Sequence, residues 1–192
     1  MTPPPRGPVL RFSIDRLQTP IGQMLIVADL EGNLRATDWN DHDERMQRFL
    51  RIHYRIGLET ERLELEPADN PGGLTQAIAS YFAGNLHAIE NLPVKTNGTE
   101  FQREVWRALR QIPAGATISY KTLAERIGRP AATRAVGLAN GSNPVGVVVP
   151  CHRVIGADGS LTGYGGGMER KRWLLEHEGV RVNEQRMLQW PA

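Results

Sequence analysis

Apolar and polar residues alternate through Val9-Leu10-Arg11-Phe12-Ser13-Ile14, the period of a strand with one buried face. The strand signal returns in Met24–Ala28 and Leu34–Trp39, on either side of a turn at Glu31-Gly32-Asn33, which predicts a hairpin. From Asp43 to about Tyr54 the period lengthens: Met46, Phe49, Leu50 and His53 recur at helical spacing. After the polar stretch 59–70, Leu74, Ala77, Ile78, Tyr81 and Phe82 predict another helix, with Gly84 as its stop. These elements compose a small α+β unit over residues 9–92, preceded by a proline-rich leader at 1–8. Nothing in this unit has catalytic spacing. Its histidines, His42, His53 and His87, are scattered and read as surface or packing residues.

Residues 93–98 read as a connection to a second unit, 99–180, in which helical spacing dominates. Thr99 and Gln102 form a capping-box signature. They open a helix whose apolar face is Phe101, Val105, Ala108, Leu109 and Ile112, ended by Pro113-Ala114-Gly115. Ser119 is the next N-cap, with Leu123, Ala124 and Ile127 on the buried side and Gly128 as the stop. After the Gly128-Arg129-Pro130 turn, Ala131–Asn140 predicts a second short helix, which makes the pair a helix-turn-helix candidate. Ala131, Ala132 and Ala135 surround one long cation, Arg134, in this helix. Small residues with one arginine suit a minor groove and an extruded base. They suit a helix packed closely on its neighbour equally well. The final helix spans Glu169–Glu178, with Trp173 and Leu174 inward and Gly179 as its end. Residues 181–192 form a tail.

Composition narrows the function classes. Of 192 residues, 40% are hydrophobic and 23% charged, as in ordinary globular proteins. No apolar run approaches the ~18 residues of a membrane span. The start lacks the apolar core of a signal peptide. A net charge of +2 conceals an uneven spread. Residues 1–95 hold 10 Lys+Arg against 13 Asp+Glu, whereas 96–180 hold 11 against 7. The second unit is therefore the basic one, which points to a polyanion as partner.

That basic unit also carries Cys151, the single cysteine, within Val147-Val148-Val149-Pro150-Cys151-His152-Arg153-Val154-Ile155. The valines predict a buried strand that delivers the thiol to a fixed place. One sulfur excludes an intramolecular disulfide and a multi-cysteine zinc site. An adjacent imidazole and guanidinium are expected to lower the thiol pKa and favour the nucleophilic thiolate. A reactive thiol also suits a reducing compartment, so the protein is expected in the cytosol. Thr162-Gly163-Tyr164-Gly165-Gly166-Gly167 lacks the strand context of a phosphate-binding loop and reads as a mobile wall against a flat ligand.

Pro150-Cys151-His152-Arg153-Val154 resembles the active-site signature of the O6-alkylguanine-DNA alkyltransferases, or methylated-DNA–protein-cysteine methyltransferases. The likeness extends through Phe101–Trp106, Ile118-Ser119-Tyr120, Arg134–Gly137, Gly141–Pro144 and Trp173–Gly179. In the first unit, Asn70–Leu74 and Tyr81–Gly84 are similar to the bacterial, constitutive-type members. The resemblance implies a ribonuclease-H-like α+β domain followed by a mainly helical domain with a winged helix-turn-helix motif. It implies one irreversible transfer of an alkyl group from O6 of guanine, and by extension O4 of thymine, in duplex DNA to Cys151. The nucleotide would be flipped out through the minor groove, and the protein would act as a monomer without metal or cofactor.

By the same resemblance Cys151 is the nucleophile, and His152 is the base, reaching it through a water. Glu178 orients that histidine and Asn143 organises the site. Tyr120 presses on the phosphate backbone and donates to the leaving guanine. Arg134, flanked by Ala131, Ala132 and Ala135, enters the gap left by the flipped nucleotide. Lys171 and the backbone at Tyr164-Gly165 hydrogen-bond O6, and the carbonyls of Cys151 and Val154 read the exocyclic amine. Gly165 departs from members that carry serine there, which implies a roomier pocket. The zinc-binding cysteines of some members are absent. Alkyltransferase-like proteins, which bind alkylated DNA without repairing it, lack the cysteine. A cysteine peptidase usually brings its histidine from a distant segment. A deaminase-like zinc enzyme needs a second cysteine.

Overall fold

A computed structural model describes residues 9–55 and 63–182. The leader 1–8 and residues 183–192 of the expected tail lie outside the described residues. Strands β1 (Leu10–Thr19), β2 (Gly22–Ala28) and β3 (Leu34–Trp39) form an antiparallel meander, followed by helix α1 (Asp43–Tyr54). Strand β4 (Leu63–Pro67) then pairs parallel with β1, which completes a mixed sheet of order β3-β2-β1-β4. All of β4 falls in the stretch 59–70, which reads as polar in sequence. Its sequence Leu-Glu-Leu-Glu-Pro is that of an edge strand, half-exposed and blunted by charge and proline. Met46 and Leu50 of α1 seal one face of the sheet against Phe12, Ile14, Leu25 and Val27.

The opposite face does not end at the first unit. Met24, Ile26, Leu34 and Trp39 from the sheet, with Leu74, Ile78 and Tyr81 of helix α2 (Leu74–Phe82), share one core with Val105, Leu109, Val136, Val149 and Leu174. Backbone pairing ties the halves further: Leu34 bridges Val94 and Thr37 bridges Val145. Thr37 N–H donates to the Pro144 carbonyl at 3.0 Å, and its hydroxyl to the Gly146 carbonyl at 2.7 Å.

The second half is mainly helical, as its periodicity predicts. Helix α3 (Glu100–Leu109) opens with the Thr99–Gln102 capping box, both reciprocal bonds being formed. It ends three residues earlier than the apolar pattern suggests, although Ile112 is still buried beyond it. Ser119 caps α4 (Tyr120–Arg126) by accepting from Thr122 N–H at 3.0 Å. A short 3-10 turn at Pro130–Ala132 leads into α5 (Thr133–Gly141). Val136 and Ala139 bury α5 against the core, where Trp106 Nε1 donates to the Ala139 carbonyl at 2.9 Å. Ala131, Arg134 and Ala135 stay exposed, so those alanines are not spacers between packed helices. A two-stranded parallel sheet joins β5 (Ile118–Ser119) to β6 (Val154–Ile155), and α6 (Met168–His177) closes the fold. Lys171, Leu174 and Leu175 form the buried side of α6, while Trp173 is half-buried and stacks on His177.

Candidate active site

The valines before Cys151 are buried, but they do not form the expected strand. The chain turns at 146–148, and Val147 adopts φ +70°, a left-handed conformation that β-branched residues rarely take. Asn143 holds this turn. Its Oδ1 accepts from Val145 N–H at 3.0 Å, and its Nδ2 donates to the Val149 carbonyl at 2.8 Å. The carboxamide thus supplies the pairing that a neighbouring strand would have given. Cys151 then starts a 3-10 turn, Cys151–Arg153, that runs directly into β6.

Behind the thiol lies a buried charge cluster. The His152 ring is fully buried, and its Nε2–H donates to Glu178 Oε1 at 2.9 Å. Arg153 grips the same carboxylate, with Nε on Oε2 and Nη2 on Oε1, both at 2.8 Å. The Tyr81 hydroxyl, from α2 of the first half, donates to Oε1 at 2.8 Å. Ion pairing and these hydrogen bonds overcome the cost of burial and hold the Glu178 carboxyl far below the usual range. Burial pushes His152 down, so the imidazole is neutral, and its Nδ1 has no hydrogen-bond partner among the described residues. That leaves Nδ1 with a free lone pair.

The expectation that His152 and Arg153 lower the thiol pKa is not met. Burial raises the Cys151 pKa, against the opposing effects of a hydrogen bond with Asn143 and the positive charges of Lys171 and Arg45. His152 is neutral, and Arg153 is spent on Glu178 and on the Ile112 carbonyl. The cations that act on the sulfur come from α6 and α1, neither of them its sequence neighbour.

Lys171 is fully buried, and its ammonium donates to the carbonyls of Val154 and Thr162, each at 2.6 Å. It therefore pins β6 to the glycine-rich loop, and burial lowers its pKa to about 8. Two of its three N–H donors are used in this way. The Val154 carbonyl accepts one of them, and the Cys151 carbonyl accepts from Val154 N–H. Tyr120, at the start of α4, is brought to the site because β5 pairs with β6, and its ring lies against Gly137 of α5.

In front of the thiol is a cavity of about 30 Å³ lined by Asp38, Arg45, Asn140, Asn143, Cys151, Tyr164 and Gly165, among others. Gly165 does not leave the pocket roomier. A Cβ there would lie 2.8 Å from an Arg45 guanidinium nitrogen, so Arg45 occupies the space of the missing side chain. Arg45 is itself anchored by the Asp38 carboxylate, Nε on Oδ2 at 2.9 Å and Nη2 on Oδ1. At Gly166 a Cβ would meet Trp39 Nε1 at 2.6 Å. The loop's glycines thus allow close packing on the first half. Arg170 holds that contact, with its guanidinium over the Trp39 ring at 4.6 Å and bonded to the Ile21 and Gly166 carbonyls.

The sequence therefore locates Cys151, His152, Glu178 and Asn143, and the structure brings them together. It misses the roles of Tyr81, Asp38 and Arg45, because nothing in the first half has catalytic spacing. Only Tyr81 gave a signal: a hydroxyl on a helix face otherwise made of core residues needs a buried partner. Arg134 lies on the exposed side of α5, away from these contacts. Among the described residues no group of three or more His, Cys, Asp or Glu could hold a metal ion, and no helix is long and apolar enough to cross a membrane.

Two family models match the chain. Residues 15–96 fit the ribonuclease-like domain of 6-O-methylguanine DNA methyltransferase, and residues 100–180 fit its DNA binding domain. The methylated-DNA–protein-cysteine methyltransferase of Shigella flexneri is 53% identical over 171 residues, 89% of this chain and 98% of that protein. The enzyme of the same name from Methanosarcina acetivorans is 40% identical, over 84% of this chain and 95% of its own. Among solved structures, Mycobacterium tuberculosis OGT in complex with DNA superposes with a TM-score of 0.70 at 41% identity, covering 88% of this chain and 92% of that one. The chain belongs to the methylated-DNA–protein-cysteine methyltransferase family, enzymes that repair DNA by direct alkyl transfer to a reactive cysteine of their own.

Proposed function

We propose that the chain takes the alkyl group of O6-alkylguanine in duplex DNA onto Cys151 in one irreversible turnover. The observation that carries this reading is the pairing of a lone buried thiol with a neutral His152 whose Nδ1 is free while its Nε2 is fixed on Glu178. Nδ1 draws off the thiol proton through a water. The sulfur attacks the alkyl carbon, a carbon–sulfur bond forms, and the bond to O6 breaks. The departing guanine takes the electron pair, and a hydrogen bond from the Tyr120 phenol disperses its charge. Glu178 balances the imidazolium formed on His152 and fixes its ring, as a second-sphere carboxylate does for a catalytic base. The thioether is stable, and no second thiol exists to reverse it.

A base inside the stack cannot reach a thiol with 7% exposure, so the nucleotide is flipped. The exposed side of α5 and of the turn before it supports a minor-groove approach, in which Ala131, Ala132 and Ala135 allow close contact and Arg134 fills the vacated stack. A cavity of about 30 Å³ holds roughly one water molecule, so the 162–167 loop must move outward for a purine. The protein acts as a monomer in the cytosol. Intact-mass measurement after incubation with an O6-methylguanine duplex tests the reading. One added methyl, located on Cys151 and lost in Cys151→Ala, is the expected result. Stoichiometric repair by the alanine variant overturns it.

A further inference from the structure

Two clefts meet along α3, away from Cys151. One, of about 360 Å³, lies between the end of α1 and the start of α3, with Arg55 and Arg103 in its wall. The other, of about 260 Å³, lies between the 94–96 connection and α3, with Lys95, Arg103, Arg107 and Arg110. They adjoin at Arg103, and among the described residues no Asp or Glu lines either. The fold does little to neutralise these charges. Arg103 donates to the Gly98 carbonyl, and Arg110 to those of Glu90 and Leu92. Arg107 has no hydrogen bond or ion pair among the described residues. Lys95 faces a carboxylate, Glu31 at 3.3 Å, in an exposed pair that contributes little. Five like charges in one groove repel one another, and a bound polyanion removes that repulsion.

The spacing fits a polymer. Arg103, Arg107 and Arg110 stand at i, i+4 and i+7, a single stripe along roughly 10 Å of helix. About three successive phosphates of one DNA strand span that length. The groove offers no face for stacking a base, since Trp106 in its wall is 2% exposed, so the contact is with backbone. Nor is the stripe part of the helix-turn-helix surface. Phe101 and Glu104 lie about 100° or more round α3 from Arg103. On that side Glu104 pairs with Arg129 at 3.1 Å, and the Arg129 guanidinium covers the Phe101 ring. Resting on the reading that α5 holds the lesion, we propose that the groove along α3 is a second DNA contact. It binds the phosphate backbone of duplex outside the segment held at α5.

The test compares the parent with a Lys95→Gln, Arg107→Gln double variant on two unmodified duplexes, of about one and about four helical turns. Gel shift at low occupancy gives the binding constant for one protein per duplex. Both side chains are exposed, so the variant is expected to melt as the parent does and to take methyl from a saturating short lesion duplex at the parent's rate. On the long duplex its affinity should fall by about ten-fold at low salt. The slope of log affinity against log salt should lessen by about 2, near 0.9 for each phosphate no longer neutralised. On the short duplex the change should stay within about two-fold. Equal losses on both duplexes would make these cations part of a general field and overturn the proposal. Unchanged affinity for both overturns it as well, and a variant that loses only self-association assigns the groove to the acidic first half of a second copy. Failure of the site reading looks different: no methyl reaches Cys151 in the parent, whatever the groove binds.

Discussion

Behind Cys151 both oxygens of Glu178 are engaged, by His152, Arg153 and Tyr81. In front of it, a buried carboxamide oxygen, that of Asn140, has no partner among the described residues, glycines replace side chains, and a cation from the other half stands in for one of them. The rear wall is a closed electrostatic unit around Glu178, and His152 Nδ1, turned from the carboxylate, is its one open position among the described residues. The front wall is under-satisfied and joined by contacts that can part. The contrast shows where each kind of chemistry resides: proton handling where geometry is rigid, recognition where polar groups still await a partner.

The rear wall is the more expensive to break. Glu178→Gln removes the charge that faces both His152 and Arg153 and leaves a buried guanidinium uncompensated. Loss of about 3–5 kcal/mol in denaturant unfolding is expected, together with transfer slowed by about a hundred-fold or more. A variant as stable as the parent would show that Arg153, not Glu178, anchors this wall. Arg134→Ala leaves both walls intact and addresses flipping alone. Repair of duplex should slow by roughly ten- to a hundred-fold, while free O6-benzylguanine, which needs no flipping, reacts almost normally. Equal slowing of both substrates would assign Arg134 to the fold or the pocket.

At the front, Arg45→Ala removes one of the two cations that oppose the burial of the thiol. The pH profile of Cys151 alkylation by a small electrophile should move to higher pH, with a several-fold lower rate near neutrality. An unmoved profile would leave Lys171 as the sole relevant charge. The walls also respond differently to pH. The Glu178 carboxyl is held down in the folded state, so its contribution is complete above the unfolded value of about 4.3 and is lost as pH falls below it. Lys171 is depressed to about 8. Between about 8 and the unfolded value of about 10.4 the unfolded chain holds more protons, so this term makes stability rise with pH. Melting temperature measured across both windows checks the two signs. Smallest of all, Tyr81→Phe removes one of several donors to Glu178 and is expected to cost about 1 kcal/mol.

What was legible in the sequence follows the range of the interactions. The capping box at Thr99, the Ser119 cap and the helical period of the second half are local, and they appear where the pattern places them. The signature around Cys151 and the Trp173–Gly179 run together carry His152, Arg153 and Glu178 of the rear wall. The run of valines misled for a physical reason: β-branched residues predict a strand, but the Asn143 side chain folds 145–149 into a turn instead. What the first half contributes to either wall was not legible, save for the Tyr81 hydroxyl. Asp38, Arg45 and Tyr81 sit in an ordinary strand and two ordinary helices, and only the shared core brings them to a thiol more than sixty residues away in the chain.

The solitary thiol has a use beyond chemistry. A single sulfur at the seam of both halves, 7% exposed, admits a small electrophile but meets a bulky reagent only when the structure around it opens. Its rate of modification by a bulky disulfide reagent, compared with that of an unfolded peptide, follows the opening equilibrium of the native protein. The same atom that records repair therefore serves as a built-in clock for breathing of the fold, with no label to introduce and no second cysteine to confuse the signal.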